Sequence, residues 1–259
     1  MLLAIDSGNT NVVFAVYDET DRMRGSWRAS SDVHRTADEY AVWLTQLMAL
    51  EGLGPADIDG AILANVVPAA TYALKTLCVR YFKTRPLVIG EPDVELGLAV
   101  AIDRPEQVGE DRLVNAVAAH ARYPGALVVV DFGTATTFDV IGAEGSYRGG
   151  VIAPGIHLSV EALYRAAAKL PNVGIRRPRS VIGRATVPAM ESGIYWGYVG
   201  LIEGLIARIK AEYGEPMTVI ATGGLAPVFS DAIEAIEQVD PDLTLRGLLT
   251  VYRANSGAG

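Results

Sequence analysis

Cysteine is almost absent from this chain of 259 residues: Cys78 stands alone. No intrachain disulfide can form, so a reducing, cytoplasmic compartment is expected. Basic surface is missing as well. The net charge is -8, and Lys and Arg form no stripe, which argues against a nucleic-acid partner. Long apolar runs are missing too. Asp6 interrupts the first run early, so neither a signal peptide nor a membrane span is expected. His34, His120 and His157 lie far apart and make no ligand-spaced cluster; they read as surface or capping residues. Walker A, G-x-G-x-x-G, C-x-x-C and H-E-x-x-H patterns do not occur. P-loop ATPases, Rossmann dehydrogenases and zinc hydrolases therefore lose support.

What is present is the composition of a well-cored globular chain. Half the residues are hydrophobic and a fifth are charged. The length suits one large or two ordinary domains. The positive mean hydropathy reflects buried strands and Ala-rich helices.

The most informative feature occurs twice. A strand-like run, Leu2 to Ile5, ends in Asp6-Ser7-Gly8-Asn9-Thr10-Asn11 and is followed by a second strand, Val12 to Tyr17. Leu127 to Val130 ends in Asp131-Phe132-Gly133-Thr134-Ala135-Thr136, and Thr137 to Ile141 follows. One such hairpin means little, because Asp and Gly make turns wherever chains reverse. Two of them, one opening each half, point to internal duplication. Each half would offer an Asp and a glycine-containing turn to a nucleoside triphosphate and its metal. The division falls between residues 1–115 and 116–259.

The rest of the chain repeats the same order. After each hairpin comes a third strand, Arg24 to Ala29 and then Ser146 to Ile152. Thr36 and Glu39 form a capping box for a helix that ends at Gly52 to Pro55. Strand Ala61 to Val66, helix Thr71 to Tyr81 and strand Pro86 to Ile89 follow. Glu91 to Gln107 is irregular, and Leu113 to Ala121 is helical. In the second half, a helix runs from Ser159 to Leu170, and a loop with Pro and Arg from Pro171 to Gly183. Thr186 is expected to N-cap a long helix that ends at Gly214. A strand from Thr218 to Ala221 runs into Thr222-Gly223-Gly224, and two short helices finish the chain. Residues 255–259 read as frayed. The expected architecture is a mixed sheet with helices on its faces, built twice.

A carboxylate at a strand end beside glycine can hold hydrated Mg²⁺ while turn amides face phosphate. Asp6 and Asp131 both fit that chemistry, and Thr10, Asn11, Thr134 and Thr136 add donors. Gly109-Glu110-Asp111-Arg112 opens a helix. Acidic residues favour such a position for the macrodipole alone. An Asp there can also accept a hydroxyl proton, and an Arg can hold a carboxylate. The residues leave both readings open. Gly193, Gly197, Gly200 and Gly204 fall on one side of a helix. Each costs roughly 0.5–1 kcal/mol against alanine, so the stripe implies close packing. An intrachain contact and a dimer seam both remain open.

These motifs, together with Leu113-Val114-Asn115-Ala116, Gly149 to Gly155 and Ala221 to Leu225, resemble type III pantothenate kinase, in order and over nearly the whole chain. The resemblance implies α/β architecture: two ribonuclease-H-like domains of the actin, hexokinase and heat-shock chaperone ATPase superfold around a nucleotide cleft. It implies ATP-dependent phosphorylation of pantothenate to 4'-phosphopantothenate, the first step of coenzyme A synthesis. It also implies a homodimer and a need for Mg²⁺ and a monovalent cation, K⁺ or NH₄⁺. Carried over by motif, Asp6, Ser7, Gly8, Asn9, Thr10, Asn11, Val12 and Val13 bind ATP, with Asp6 holding Mg²⁺ through water. Thr134 also contacts ATP. Gly109, Glu110, Asp111, Arg112 and Thr186 bind pantothenate, with Asp111 as proton acceptor. Asp131 ligates K⁺.

Two positions depart from the family pattern. Many members carry Ala where Glu110 stands, and its side chain is expected to point to solvent. Some carry a substrate-contacting Tyr where this chain has Ile102. Rival readings are another kinase of the same superfold, a nucleotide-binding protein accessory to transcription, and a chaperone-like ATPase. The Asp111-Arg112 pair favours a kinase, because a regulator needs no base and carboxylate clamp beside the phosphates. A chaperone would need a peptide-binding domain, for which no residues are left over.

Overall fold

A computed structural model describes residues 1–166 and 171–257. The chain divides into two compact units. One comprises Met1–Ala99, Asp103–Arg122 and Leu243–Gly259; the other comprises Val100–Ile102 and Tyr123–Asp242.

The first unit is built on strands β1 (Leu2–Ser7), β2 (Asn11–Tyr17), β3 (Met23–Ser30), β4 (Gly60–Asn65) and β5 (Leu87–Val88), with helices α1 (Ala37–Leu50), α2 (Thr71–Tyr81) and α3 (Glu110–Arg122). The second carries β6 (Ala126–Phe132), β7 (Ala135–Ile141), β8 (Tyr147–Pro154), α4 (Ile156–Ala166), α5 (Thr186–Tyr213), β9 (Met217–Thr222), α6 (Ala226–Phe229) and β10 (Gln238–Val239). Helix α7 (Leu243–Ser256) then returns to the first unit.

The sheet orders are β3-β2-β1-β4-β5 and β10-β9-β6-β7-β8. In each, the leading strand pairs antiparallel with the next strand and parallel with a later one: β1 with β2 and β4, β6 with β7 and β9. The same five-strand pattern occurs twice, as the duplicated hairpins imply. Physical chemistry explains which runs became which strands. The central strand β6 reads Ala-Leu-Val-Val-Val and is covered on both faces, so it lacks polar alternation. At the sheet edges, β3 and β8 alternate between covered and open positions.

Alternation also fixes the faces. Leu3 and Ile5 pack on the side of α1 and α2, while Leu2 and Ala4 pack toward Val114 and Val117 of α3 and Leu248 of α7. Asp6 therefore shares the face of α3. Helices α3 and α7 cross closely because residue 247 is glycine: a Cβ there would lie 2.2 Å from the Val114 carbonyl oxygen. Buried Asn115 accepts from Thr244 Oγ1 at 2.7 Å across the same crossing.

The capping box at Thr36 is present, with Glu39 N–H donating to Thr36 Oγ1 at 3.3 Å and Thr36 N–H to Glu39 Oε2 at 2.7 Å. Other expectations shift. Thr186 is the first helical residue of α5, and Ala185 occupies the cap without a side-chain bond. Helix α4 begins three residues before the expected Ser159, and its expected last residues, 167–170, lie outside the described residues. Residues 255 and 256 are helical rather than frayed: Asn255 donates to the Glu95 carbonyl and accepts from the Glu95 amide, both at 2.8 Å. Residues 258–259 lie outside the description. Strand β10 left no signal, being two exposed residues at a sheet edge. All three histidines are exposed. Among the described residues no helix is long and apolar enough to cross a membrane.

Candidate active site

In the first unit, the Asp6 turn joins β1 to β2. Ser7 and Val12 are the last register pair before it. The Gly8 amide donates to the Asn11 carbonyl at 2.9 Å, closing the turn. Ser31, just past β3, braces it from outside: its amide donates to the Thr10 carbonyl at 2.9 Å and its hydroxyl to the Gly8 carbonyl at 2.5 Å. Nothing in the sequence pattern marked Ser31, because its role depends on β3 lying beside β2. Gly8 does not have positive φ, and neither does Gly133. Their value is the absence of a side chain.

Helix α3 begins at the same end of the sheet. Val66 N–H donates to the Ser7 carbonyl at 3.0 Å, and a Cβ on Gly109 would stand 3.7 Å from Val66 Cγ1. The ends of β1 and β4 and the start of α3 therefore converge. Asn65 fixes the intervening turn. Its amide group donates to the Val67 carbonyl at 2.9 Å and to Thr71 Oγ1 at 2.8 Å, and its oxygen accepts from Val67 N–H at 3.2 Å. Sequence reasoning passed over Asn65, although an Asn between a strand and a proline is a turn signal.

Asp111 sits in the first turn of α3, and its Oδ1 accepts from the Arg112 amide at 2.8 Å. Burial raises its pKa, against the opposing pull of the Arg112 amide and guanidinium. A carboxylate held this way is a stronger base than one on the surface. Glu110 does not simply point to solvent. It is half-buried, and a Cβ on Gly90 would lie 3.5 Å from its Oε1.

In the second unit, the Asp131 turn is one residue tighter. Phe132 and Thr136 form the last register pair, and the Gly133 amide donates to the Ala135 carbonyl at 3.1 Å. Two other glycines press against it. A Cβ on Gly155 would lie 2.2 Å from the Thr134 carbonyl oxygen and 2.7 Å from that of Gly133. A Cβ on Gly223 would lie 2.5 Å from Asp131 Oδ1 and 2.8 Å from the Phe132 amide nitrogen. Gly223 also has φ +87°, so glycine there is required by conformation and by space. Both needs arise within the chain. The turn thus carries a carboxylate and backbone carbonyls, oxygen donors of the kind a hard cation takes.

Thr186 is exposed and lines a groove of about 570 Å³ between α4 and α5, together with Ser159, Leu163, Gly193, Gly197 and Leu201. Among the described residues the glycine stripe packs against no other element. A Cβ on Gly193, Gly197 or Gly200 would meet nothing within 4 Å among the described residues, and one on Gly204 would meet only Arg208, on its own helix.

The fold of the chain also occurs in solved structures. A chain assigned to the Baf family of transcriptional activators from Campylobacter jejuni is 20% identical, with a TM-score of 0.62 covering 98% of each chain. A chain assigned as a 2-dehydro-3-deoxygalactonokinase from Sinorhizobium meliloti is 18% identical, with a TM-score of 0.62 covering 100% of this chain and 98% of the other. At these identities the likeness bears on fold alone. It defines an α/β protein with ribonuclease-H-like domains of the actin, hexokinase and heat-shock chaperone ATPase superfold.

Closer relatives narrow the class. The family model for type III pantothenate kinase matches residues 2–208. The type III pantothenate kinase of Paramagnetospirillum magneticum is 67% identical over 256 residues, covering 99% of this chain and 98% of that one. This chain belongs to the type III pantothenate kinase family, ATP-using enzymes that phosphorylate pantothenate in coenzyme A biosynthesis. The regulatory, chaperone-like and sugar-kinase readings give way to it.

Proposed function

We propose that the chain makes 4'-phosphopantothenate with Asp111 as proton acceptor and Arg112 as the clamp for the pantothenate carboxylate. Asp111 carries the reading: it is a half-buried, base-strengthened carboxylate that opens α3, on the sheet face that Asp6 shares. The acceptor oxygen bonds to the γ-phosphorus as the bond from that phosphorus to the β-phosphate oxygen breaks. The hydroxyl proton passes to Asp111, and ADP departs. A carboxylate near the nucleophile contributes by orientation and by taking the proton as it is released. Arg112 supplies the planar fork that a carboxylate accepts bidentately.

Asp6, Ser7, Gly8, Asn9, Thr10, Asn11, Val12 and Val13 bind the ATP phosphates, and Thr134 adds a hydroxyl. Asp6 would hold Mg²⁺ through water, and Asp131 with the Gly133 and Thr134 carbonyls would hold K⁺ or NH₄⁺. Bound there, the cations would supply positive charge for the phosphates. Gly109, Glu110 and Thr186 complete the pantothenate site. The bare glycine stripe supports a homodimer, with α5 packing on α5 of a second copy. Cys78, buried and with its thiol pushed up to about 12, fits a reducing cytoplasm.

The test is an ADP-release assay with pantothenate and a panel of sugars, with and without potassium. Turnover on pantothenate alone, stimulated by potassium, is expected. Equal turnover on a sugar would overturn the substrate assignment.

A further inference from the structure

Tyr198 lies in the middle of α5, beside Gly197 of the stripe, and its hydroxyl bonds to Thr136 Oγ1. Both residues are buried, Thr136 completely. The Ile156 amide, at the start of α4, faces the same hydroxyl. The Tyr198 ring stands edge-on to Phe132 at 6.2 Å and packs on Phe229 at 5.0 Å, while Phe132 stacks on Phe229 at 5.9 Å.

Phe132 and Thr136 are the last paired residues before the Asp131 turn, one on each strand. One side chain therefore grips both feet of the turn, by ring contact on β6 and by hydrogen bond on β7. Alternation places Phe132 on the α5 side and Asp131 on the opposite face. Tyr198 thus holds the turn from the face opposite the Asp131 carboxylate, whose charge it feels. It can set where the Asp131 carboxylate and the Gly133 and Thr134 carbonyls stand.

We infer that Tyr198 is a positioning residue for the monovalent-cation turn, acting through the Thr136 hydroxyl and the Phe132 ring. The inference rests on the proposed cation role of Asp131. Removing the hydroxyl leaves a buried Thr136 oxygen without its partner and frees the β7 foot. The cation turn then loosens, while the Asp6 turn and Asp111, built on other elements, keep their places.

Two readouts test this. The first is the potassium concentration giving half-maximal turnover. The second is the rise in Tm caused by potassium without substrates, which reports cation binding directly. Tyr198→Phe should raise the half-activating concentration about tenfold and blunt the Tm rise, with the KM for pantothenate unchanged. Thr136→Val should do the same, and Thr136→Ser, which keeps the hydroxyl, should behave as wild type. The double variant Tyr198→Phe/Thr136→Val should be no worse than either single one, because both break the same bond. Asp131→Asn separates the two claims. If it abolishes the potassium response while a folded Tyr198→Phe responds as wild type, the positioning role is wrong and the cation site stands. If Asp131→Asn leaves the response intact, the cation assignment fails and the inference fails with it. An equal rise in every kinetic constant of Tyr198→Phe would mark general loosening and also overturn it.

Discussion

A Cβ on residue 109 would lie 2.7 Å from Asp111 Oδ1, so Gly109 keeps open the space that the carboxylate occupies. The other nearest neighbour, Val66 Cγ1, would be at an ordinary 3.7 Å. The clash is therefore with the Asp111 carboxylate and not with the core. Gly109→Ala should fold with a Tm close to wild type and lose about tenfold or more in kcat, because misplacement by about an ångström is costly in catalysis. A variant with both wild-type Tm and wild-type kcat would show that the carboxylate position is unimportant.

Burial of Asp111 has a consequence for stability. Its folded pKa is raised, so the native state holds its proton to higher pH than the unfolded chain does. Stability then falls as pH rises from the unfolded value through the folded one. Asp111→Asn should therefore match or exceed wild type in Tm at neutral pH, and the difference should close below the unfolded carboxylate range. Paired melting curves from acid to neutral pH check this. A variant less stable at neutral pH would mean that the charged carboxylate supports the fold.

Much of this was legible in the sequence, and for identifiable reasons. The Asp6 and Asp131 hairpins carry local turn chemistry, and the buried strands are continuous apolar runs, so both halves of the duplication read directly. The box at Thr36 and Glu39 is a signal within four residues and was equally visible. Ser31 and Tyr198 were not, since each meets its turn only after distant elements are brought together. The return of α7 to α3 depends on Gly247 lying against Val114, again a contact between distant segments. Thr186 looked like a cap because of its residue type, but the helix starts one residue earlier than a cap there would allow.

Asp6 and Asp131 are assigned different ions, so their variants should diverge. Asp6→Asn should impair use of Mg²⁺-ATP at every potassium concentration. Asp131→Asn should chiefly weaken the response to potassium or ammonium. Titrating both cations against initial rate separates them; identical profiles would contradict two sites.

On the α5 stripe, a Cβ on Gly193, Gly197 or Gly200 would meet nothing within 4 Å among the described residues, and one on Gly204 only Arg208 of the same helix. Were the stripe bare in solution, replacing glycine would strengthen the helix by roughly 0.5–1 kcal/mol. Against a second copy, a larger side chain overpacks the contact and costs roughly 1–3 kcal/mol. Gly197→Leu should therefore weaken self-association while each subunit stays folded, and raise the KM for pantothenate more than that for ATP. Sedimentation of wild type and variant reads the first effect. A wild type that sediments as a monomer and still phosphorylates pantothenate would contradict the seam.

The central claim is that Asp111 takes the proton of the pantothenate hydroxyl. Single-turnover phosphoryl transfer by Asp111→Asn, with ATP binding measured in parallel, tests it most directly. The account predicts normal ATP affinity and a transfer rate lower by about two or more decades, the usual cost of losing a general base. A transfer rate near wild type, with ATP bound normally, would contradict it.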